Sequence, residues 1–256
     1  MRKLTGSSFN DNTNQVVWNE SLRLGRQMLA YWLAAGTNGL TTTANDTRNF
    51  ALSVLLSAGF GKAYDFQPGP NRSEKSERGN SMNYRQALQL VLKNSVLIIA
   101  LGPKTFPKIS WLSKKLATIG NALRIYQQYM TDMLSEAKVE GSEVRSQGNL
   151  LATLVRASVQ DKQLSQEEVF GNMFVYTFGG HDTTAHSLAY TFVLLSIHPE
   201  VQDWMREEIR SVFTNDDPSS WKYEDFGKLV RLQAVQVSLA LPISFLYTNN
   251  AKFCRS

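Results

Sequence analysis

The chain has 256 residues, 43% of them hydrophobic and 19% charged, with a net charge of +5 and a pI near 9.3. That is apolar material for one sizeable core or two small ones, and too much for wholesale disorder. The basic residues, among them Arg23, Arg26, Lys62, Lys114 and Lys115, are scattered and not interleaved with aromatics, so no nucleic-acid groove is expected. A mild attraction to an acidic membrane surface or an acidic protein partner fits this charge. The single cysteine, Cys254, excludes an internal disulfide framework and a cysteine-rich zinc site, and suits a reducing compartment.

Met1-Arg2-Lys3 leads into polar Thr5-Gly6-Ser7-Ser8, which is no signal peptide. From there the pattern is helical nearly throughout. Asn10 to Ala34 carries Val16, Val17, Leu22, Leu24, Met28, Leu29 and Trp32 at helical spacing, and Asp46 to Phe60 repeats the pattern. Tyr64 to Asn80, rich in Pro, Gly, Ser and charge, reads as a loop. One apolar helix is predicted over Tyr84 to Leu101, stopped by Gly102-Pro103, and another over Pro107 to Ala137. A charged loop, Lys138 to Gln147, and a short helix, Asn149 to Ala157, follow. Ser165-Gln166-Glu167-Glu168 is a capping box that opens a long helix to about Ile197. Pro199 stands at the first position of a further amphipathic helix through Val212, with His198 at its end as a cap. The apolar runs Val96 to Leu101 and Val237 to Tyr247 fall short of the roughly twenty residues of a membrane span. No internal repeat and no convincing strand is visible.

The most informative stretch is Phe178-Gly179-Gly180-His181-Asp182-Thr183-Thr184-Ala185-His186, in the middle of the long apolar helix. Each glycine costs about 1 kcal/mol against alanine there, while Asp and Thr compete with the backbone for its hydrogen bonds. A helix that keeps such a cluster needs a ligand close to its backbone and a proton donor beside it. His181 and His186 are five apart, too poorly aligned for a zinc pair, and no H-E-x-x-H arrangement exists; no metal-ligating set is expected.

Gly-Gly-x-Asp-Thr-Thr, followed by His198-Pro199-Glu200-Val201-Gln202 and Arg206-Glu207-Glu208-Ile209, resembles the oxygen-activating helix of the cytochrome P-450 monooxygenases, in a microsomal style common in fungi. The resemblance is close from Ser165 to about Gln236 and looser back to Met1. It implies a mainly α, partial cytochrome P-450 fold, with a long central helix packed among others. It also implies that Gly179 and Gly180 leave room for dioxygen and substrate at a haem face. Thr183 would bond back to the Gly179 carbonyl and widen the helix locally, and Asp182 and Thr183 would deliver the two protons that let the O–O bond break heterolytically. Arg2 falls by register where the family has an arginine bonded to a haem propionate. The intact parent would insert one oxygen atom into an apolar small molecule, with electrons from NADPH through a reductase, anchored on the cytosolic face of the endoplasmic reticulum membrane.

The chain also departs from that family. The iron-ligating thiolate motif F-x-x-G-x-R-x-C-x-G is absent, Cys254 sits in Ala-Lys-Phe-Cys-Arg-Ser, and the E-x-x-R helix is approached by Lys228 to Gln236 but not reached. From Val237 to Ser256 there is no Asp or Glu and no resemblance. Val237-Ser238 is encodable by an intron's first codons. Residues 1–236 are thus expected to be a partial P-450 domain without its β-rich and proximal haem-binding parts, and 237–256 a divergent tail of intron read-through. Such a fragment would neither hold haem stably nor turn over, and would expose apolar helix faces. The rival readings are a non-enzymatic helical fragment, whether regulatory or a truncated gene product, and an iron-free carrier of apolar ligands.

Overall fold

Helical periodicity along the chain is realised as nine α-helices among the described residues, with no strand. The computed structural model describes residues 10–36, 39–68, 82, 84–102, 113–139, 150–159, 164–215 and 217–238. The helices are α1 (Asp11–Ala34), α2 (Thr43–Phe60), α3 (Tyr84–Lys93), α4 (Ser95–Leu101), α5 (Lys114–Val139), α6 (Leu150–Val159), α7 (Gln166–Ile197), α8 (Pro199–Val212) and α9 (230–238). Two 3-10 turns, Pro218–Ser220 and Tyr223–Lys228, join the last two.

The helix boundaries differ from the sequence expectation in three instructive places. The apolar run 84–101 is two helices, because Asn94 leaves the helical region between them; its side chain donates to the Leu90 carbonyl at 2.8 Å, beside the Asn94 N–H, which reaches the same oxygen at 3.2 Å. Helix α2 starts three residues early: the Thr42 carbonyl accepts from the Asn45 and Asp46 N–H groups, and its hydroxyl donates to the Asp46 carboxylate at 2.8 Å. Helix α5 runs through Lys138 and Val139, into the expected charged loop. The remainder of that loop, residues 69–80 of the earlier loop, and Pro107 to Leu112 lie outside the described residues.

The chain divides into two compact units. One comprises residues 1–10, 59–61 and 69–178. Its centre is α5, against which α3 and α6 pack. Leu88, Val91, Ile119, Ile125, Met130, Leu134, Leu154 and Met173 are fully buried there. Tyr84 stacks on Tyr126, and burial pushes the Tyr126 phenol well above its ordinary pKa, an effect the Thr177 hydroxyl only partly offsets.

The second unit comprises residues 11–58, 62–68 and 179–256. Leu24, Leu52 and Leu56 fill its centre. Its core also takes in Asp46, Thr47, Asn49, Ser53, His181, Thr191 and Glu208, each less than a tenth exposed. Most of these are tied down: Asp46 accepts from the Trp32 indole at 2.9 Å, and Asn49 donates to the Gln67 carbonyl at 2.8 Å. Glu208 accepts from the backbone N–H groups of Arg231 and Leu232, at 2.7 and 3.1 Å, and so caps α9 from α8. Arg231 lies over the Trp204 ring, 5.1 Å from its centroid, and pairs with Glu207 at 3.0 Å. Trp18 sits among Phe213, Tyr223 and Phe226 and donates to the Trp221 carbonyl at 3.2 Å, holding α1 to the 3-10 turns.

Candidate active site

The long helix opens as its sequence requires: the Glu168 carboxylate accepts from the Ser165 N–H at 2.8 Å, and the Ser165 hydroxyl from the Glu168 N–H at 3.3 Å. The Ser165 backbone N–H, and after it the Ser165 side chain, hold the Glu168 carboxyl below the usual carboxylate range. The helix then continues unbroken as an α-helix to Ile197 through both glycines. His198 takes the N-cap position of α8, but its side chain caps nothing; its ring instead meets the Glu200 carboxylate at 2.9 Å.

Gly179, Asp182, Thr183 and His186 fall on one side of α7, and Tyr190, Val193 and Ile197 continue that stripe. The stripe faces outward: Gly179, Thr183 and His186 are exposed, as are Tyr190, Val193 and Ile197. A Cβ at Gly179 would have no atom of the described residues within 4 Å, so no packing among them demands a glycine there. Gly180 differs. A Cβ on it would stand 3.4 Å from Leu55 Cδ1 of α2, so its bareness lets the two helices close.

Thr183 Oγ1 donates to the Gly179 carbonyl at 2.5 Å, the back-bond the sequence suggests, and the helix accommodates it without interruption. Thr177 and Thr191 make the same bond one or two turns away, but both are buried, whereas Thr183 is exposed. Thr183 thus spends its only hydrogen on the helix and can act outward only as an acceptor, through its lone pairs.

Asp182 is half exposed, and its Oδ1 lies 3.5 Å from Arg48 Nε on α2. Arg48 Nη2 also lies 3.1 Å from His186 Nε2, while His186 Nδ1 lies 2.7 Å from the Asp182 backbone oxygen. Nothing in the sequence points to Arg48, which sits 138 positions from His186 and joins the site only through the packing of α2 on α7. His181 points the other way. It is 2% exposed, neither ring nitrogen has a partner in hydrogen-bonding geometry among the described residues, and burial pushes its pKa below the ordinary value. The neighbouring Asp182 charge and the Arg48 backbone oppose that shift without cancelling it. With His181 buried and His186 exposed, the two imidazoles do not converge. Among the described residues no group of His, Cys, Asp and Glu is arranged to hold a metal ion, and no helix is long and apolar enough to cross a membrane. Arg2 and Cys254 lie outside the described residues.

This helical arrangement is that of a cytochrome P450 haem domain. The crystal structure of the cytochrome P450DA haem domain superposes with a TM-score of 0.64 at 16% identity, covering 87% of this chain and 44% of that one. Its triple mutant gives 0.66 over 92% and 47%. The sequence then settles the family: the cytochrome P450 profile matches residues 13–236, and the chain belongs to that family. Cytochrome P450 monooxygenase 124 of Postia placenta is 28% identical over 239 residues, 91% of this chain and 44% of that protein. Cytochrome P450 monooxygenase prx9 of Penicillium rubens is 30% identical over 243 residues, 88% of this chain and 41% of that protein. The chain spans less than half the length of these relatives.

The family cofactor is haem, and the residues of α7 fit one side of it. Gly179 offers a ledge without side chain, flanked by the exposed Thr183 hydroxyl, and no packing among the described residues accounts for that bareness. The described residues contain no cysteine to act as the opposite ligand.

Proposed function

We propose that this chain is the oxygen-activating portion of a haem-thiolate monooxygenase that inserts one oxygen atom into an apolar organic substrate, with electrons from an NADPH-dependent reductase. Haem, when bound, supplies the redox iron at which dioxygen is activated. Gly179 and Gly180 shape the approach to it: Gly179 keeps the face of α7 bare, and Gly180 keeps α2 close behind that face. Thr183, its hydrogen committed to the Gly179 carbonyl, orients a water by accepting from it. Asp182, one residue away and half exposed, exchanges protons with solvent and passes them to that water. Arg2 would bond a propionate. The observation that carries this reading is the meeting, on one exposed face of α7, of an unpacked glycine, a back-bonded threonine and a carboxylate.

The same reading makes this chain incompetent alone. Residues 1–236 form the partial P450 domain and 237–256 a translated intron; the profile match to residue 236 supports that boundary. The intact parent sits at the cytosolic face of the endoplasmic reticulum membrane. Two measurements test the proposal. Sequencing the transcript across the codons for Gln236 and Val237 should reveal a spliced message that continues into E-x-x-R and a Cys loop. Haem added to the purified chain, then reduced and exposed to carbon monoxide, should give no thiolate-type Soret band. A strong band of that type would make the chain itself the enzyme and overturn the inactivity assigned to it.

A further inference from the structure

The atoms around His186 fix its hydrogens without reference to any cofactor. A backbone carbonyl only accepts, so the Nδ1 that lies 2.7 Å from the Asp182 oxygen carries a hydrogen. A guanidinium only donates, so the Nε2 that lies 3.1 Å from Arg48 Nη2 is bare. His186 is thereby a neutral imidazole in its Nδ1–H form, an assignment made from its partners. A hydrogen on Nε2 would set two donors against each other. The same Arg48 turns its Nε towards Asp182 Oδ1 at 3.5 Å. Arg48 therefore lies between a carboxylate that attracts it and an imidazole lone pair that orients it.

An ion pair this long and this exposed contributes little to stability. Its consequence is geometric. From this we infer that His186 is a positioning residue for Asp182: its bare Nε2 fixes the Arg48 guanidinium, and Arg48 in turn holds the Asp182 carboxylate on the α2 side of the helix, one residue from the outward hydroxyl of Thr183. The inference rests on the proposed role of Asp182 as proton carrier, and adds to it the two residues that set where that carrier stands. Glutamine, whose amide also offers both a donor and an acceptor, is the replacement best able to keep the two contacts.

The test uses side-chain nitrogen spectra of the full 256-residue chain at neutral pH, in the original sequence and in His186→Phe, His186→Gln and Asp182→Asn. The original chain should show His186 protonated at Nδ1 and bare at Nε2, with the Arg48 Nη signals resolved by hindered rotation. His186→Phe should merge those Arg48 signals into one averaged line, and His186→Gln should restore them. Asp182→Asn should leave the His186 tautomer unchanged. An Nε2–H or doubly protonated His186 overturns the inference, as do Arg48 signals indifferent to His186→Phe. The tautomer of the original chain needs no substitution, so a variant that fails to fold leaves the test standing. None of these spectra involves haem. The clasp can therefore fail while oxygen activation by Asp182 and Thr183 survives, and it can hold if Thr183 proves irrelevant.

Discussion

The two units of this chain solve the problem of burial in opposite ways. The first fills its centre with Leu88, Ile119, Ile125, Met130 and Leu154, and its buried polar residues among those described, Ser95 and Thr177, are uncharged. The second buries two carboxylates, a histidine, an asparagine and several hydroxyls around a smaller aliphatic cluster. Apolar packing tolerates exchange of shape so long as volume is kept, whereas a buried polar group requires its own particular partner. The unit carrying the candidate site is thus the more exacting of the two. Its strictness falls on α2 and α7, the helices that bring Arg48 to Asp182.

Four tests would break or sharpen this contrast. The largest effect belongs to the apolar unit: Leu154→Ala should cost about 2–5 kcal/mol in chemical denaturation, while Leu88→Met should cost less than about 1.5 kcal/mol. Next, Asp46→Ala strands the part-buried Trp32 indole N–H and Thr42 hydroxyl, at about 1–3 kcal/mol in all, and tryptophan emission should report the loss. An Asp46→Ala variant as tolerant as Leu88→Met would erase the distinction between the units. Third, His181 is held neutral by burial, so its folded-state pKa lies below the unfolded value of about 6.5. Above that pH it costs nothing further. As pH falls from about 6.5 towards the lower folded value, the unfolded chain takes up the proton first, and stability should drop by up to about 1.4 kcal/mol per pH unit. His181→Phe should flatten that part of the profile; an unchanged slope would assign it to another group. The smallest effect separates the glycines. Gly179→Ala should stabilise the chain by up to about 1 kcal/mol, because its Cβ meets nothing, while Gly180→Ala should come out near zero as contact with Leu55 offsets the helix preference. A destabilising Gly179→Ala would mean that its face is packed in solution.

The helices of both units were legible in the sequence because period and caps are local. The capping box at Ser165 and the Thr183 bond to Gly179 are each written within four residues. Where the reading strayed, at Asn94, Thr42 and Lys138, a side chain or the end of an amphipathic run decided the boundary. The site was legible in its α7 half only. That Asp182 and Thr183 are chemically apt follows from their neighbours; that Arg48 answers Asp182, and that Gly180 serves α2 contact, depends on packing between segments more than a hundred residues apart, which no local pattern encodes. The burial of Asp46, His181 and Glu208 was hidden for the same reason: charged and polar letters read as surface until their partners are placed.

The exposed stripe of Tyr190, Val193 and Ile197 also governs how copies of the chain behave towards one another. The net charge of +5 keeps them apart at low ionic strength, but its reach shrinks to about 8 Å at physiological salt. Added salt therefore weakens the repulsion and leaves the apolar attraction, so light scattering from the chain should rise as salt is added.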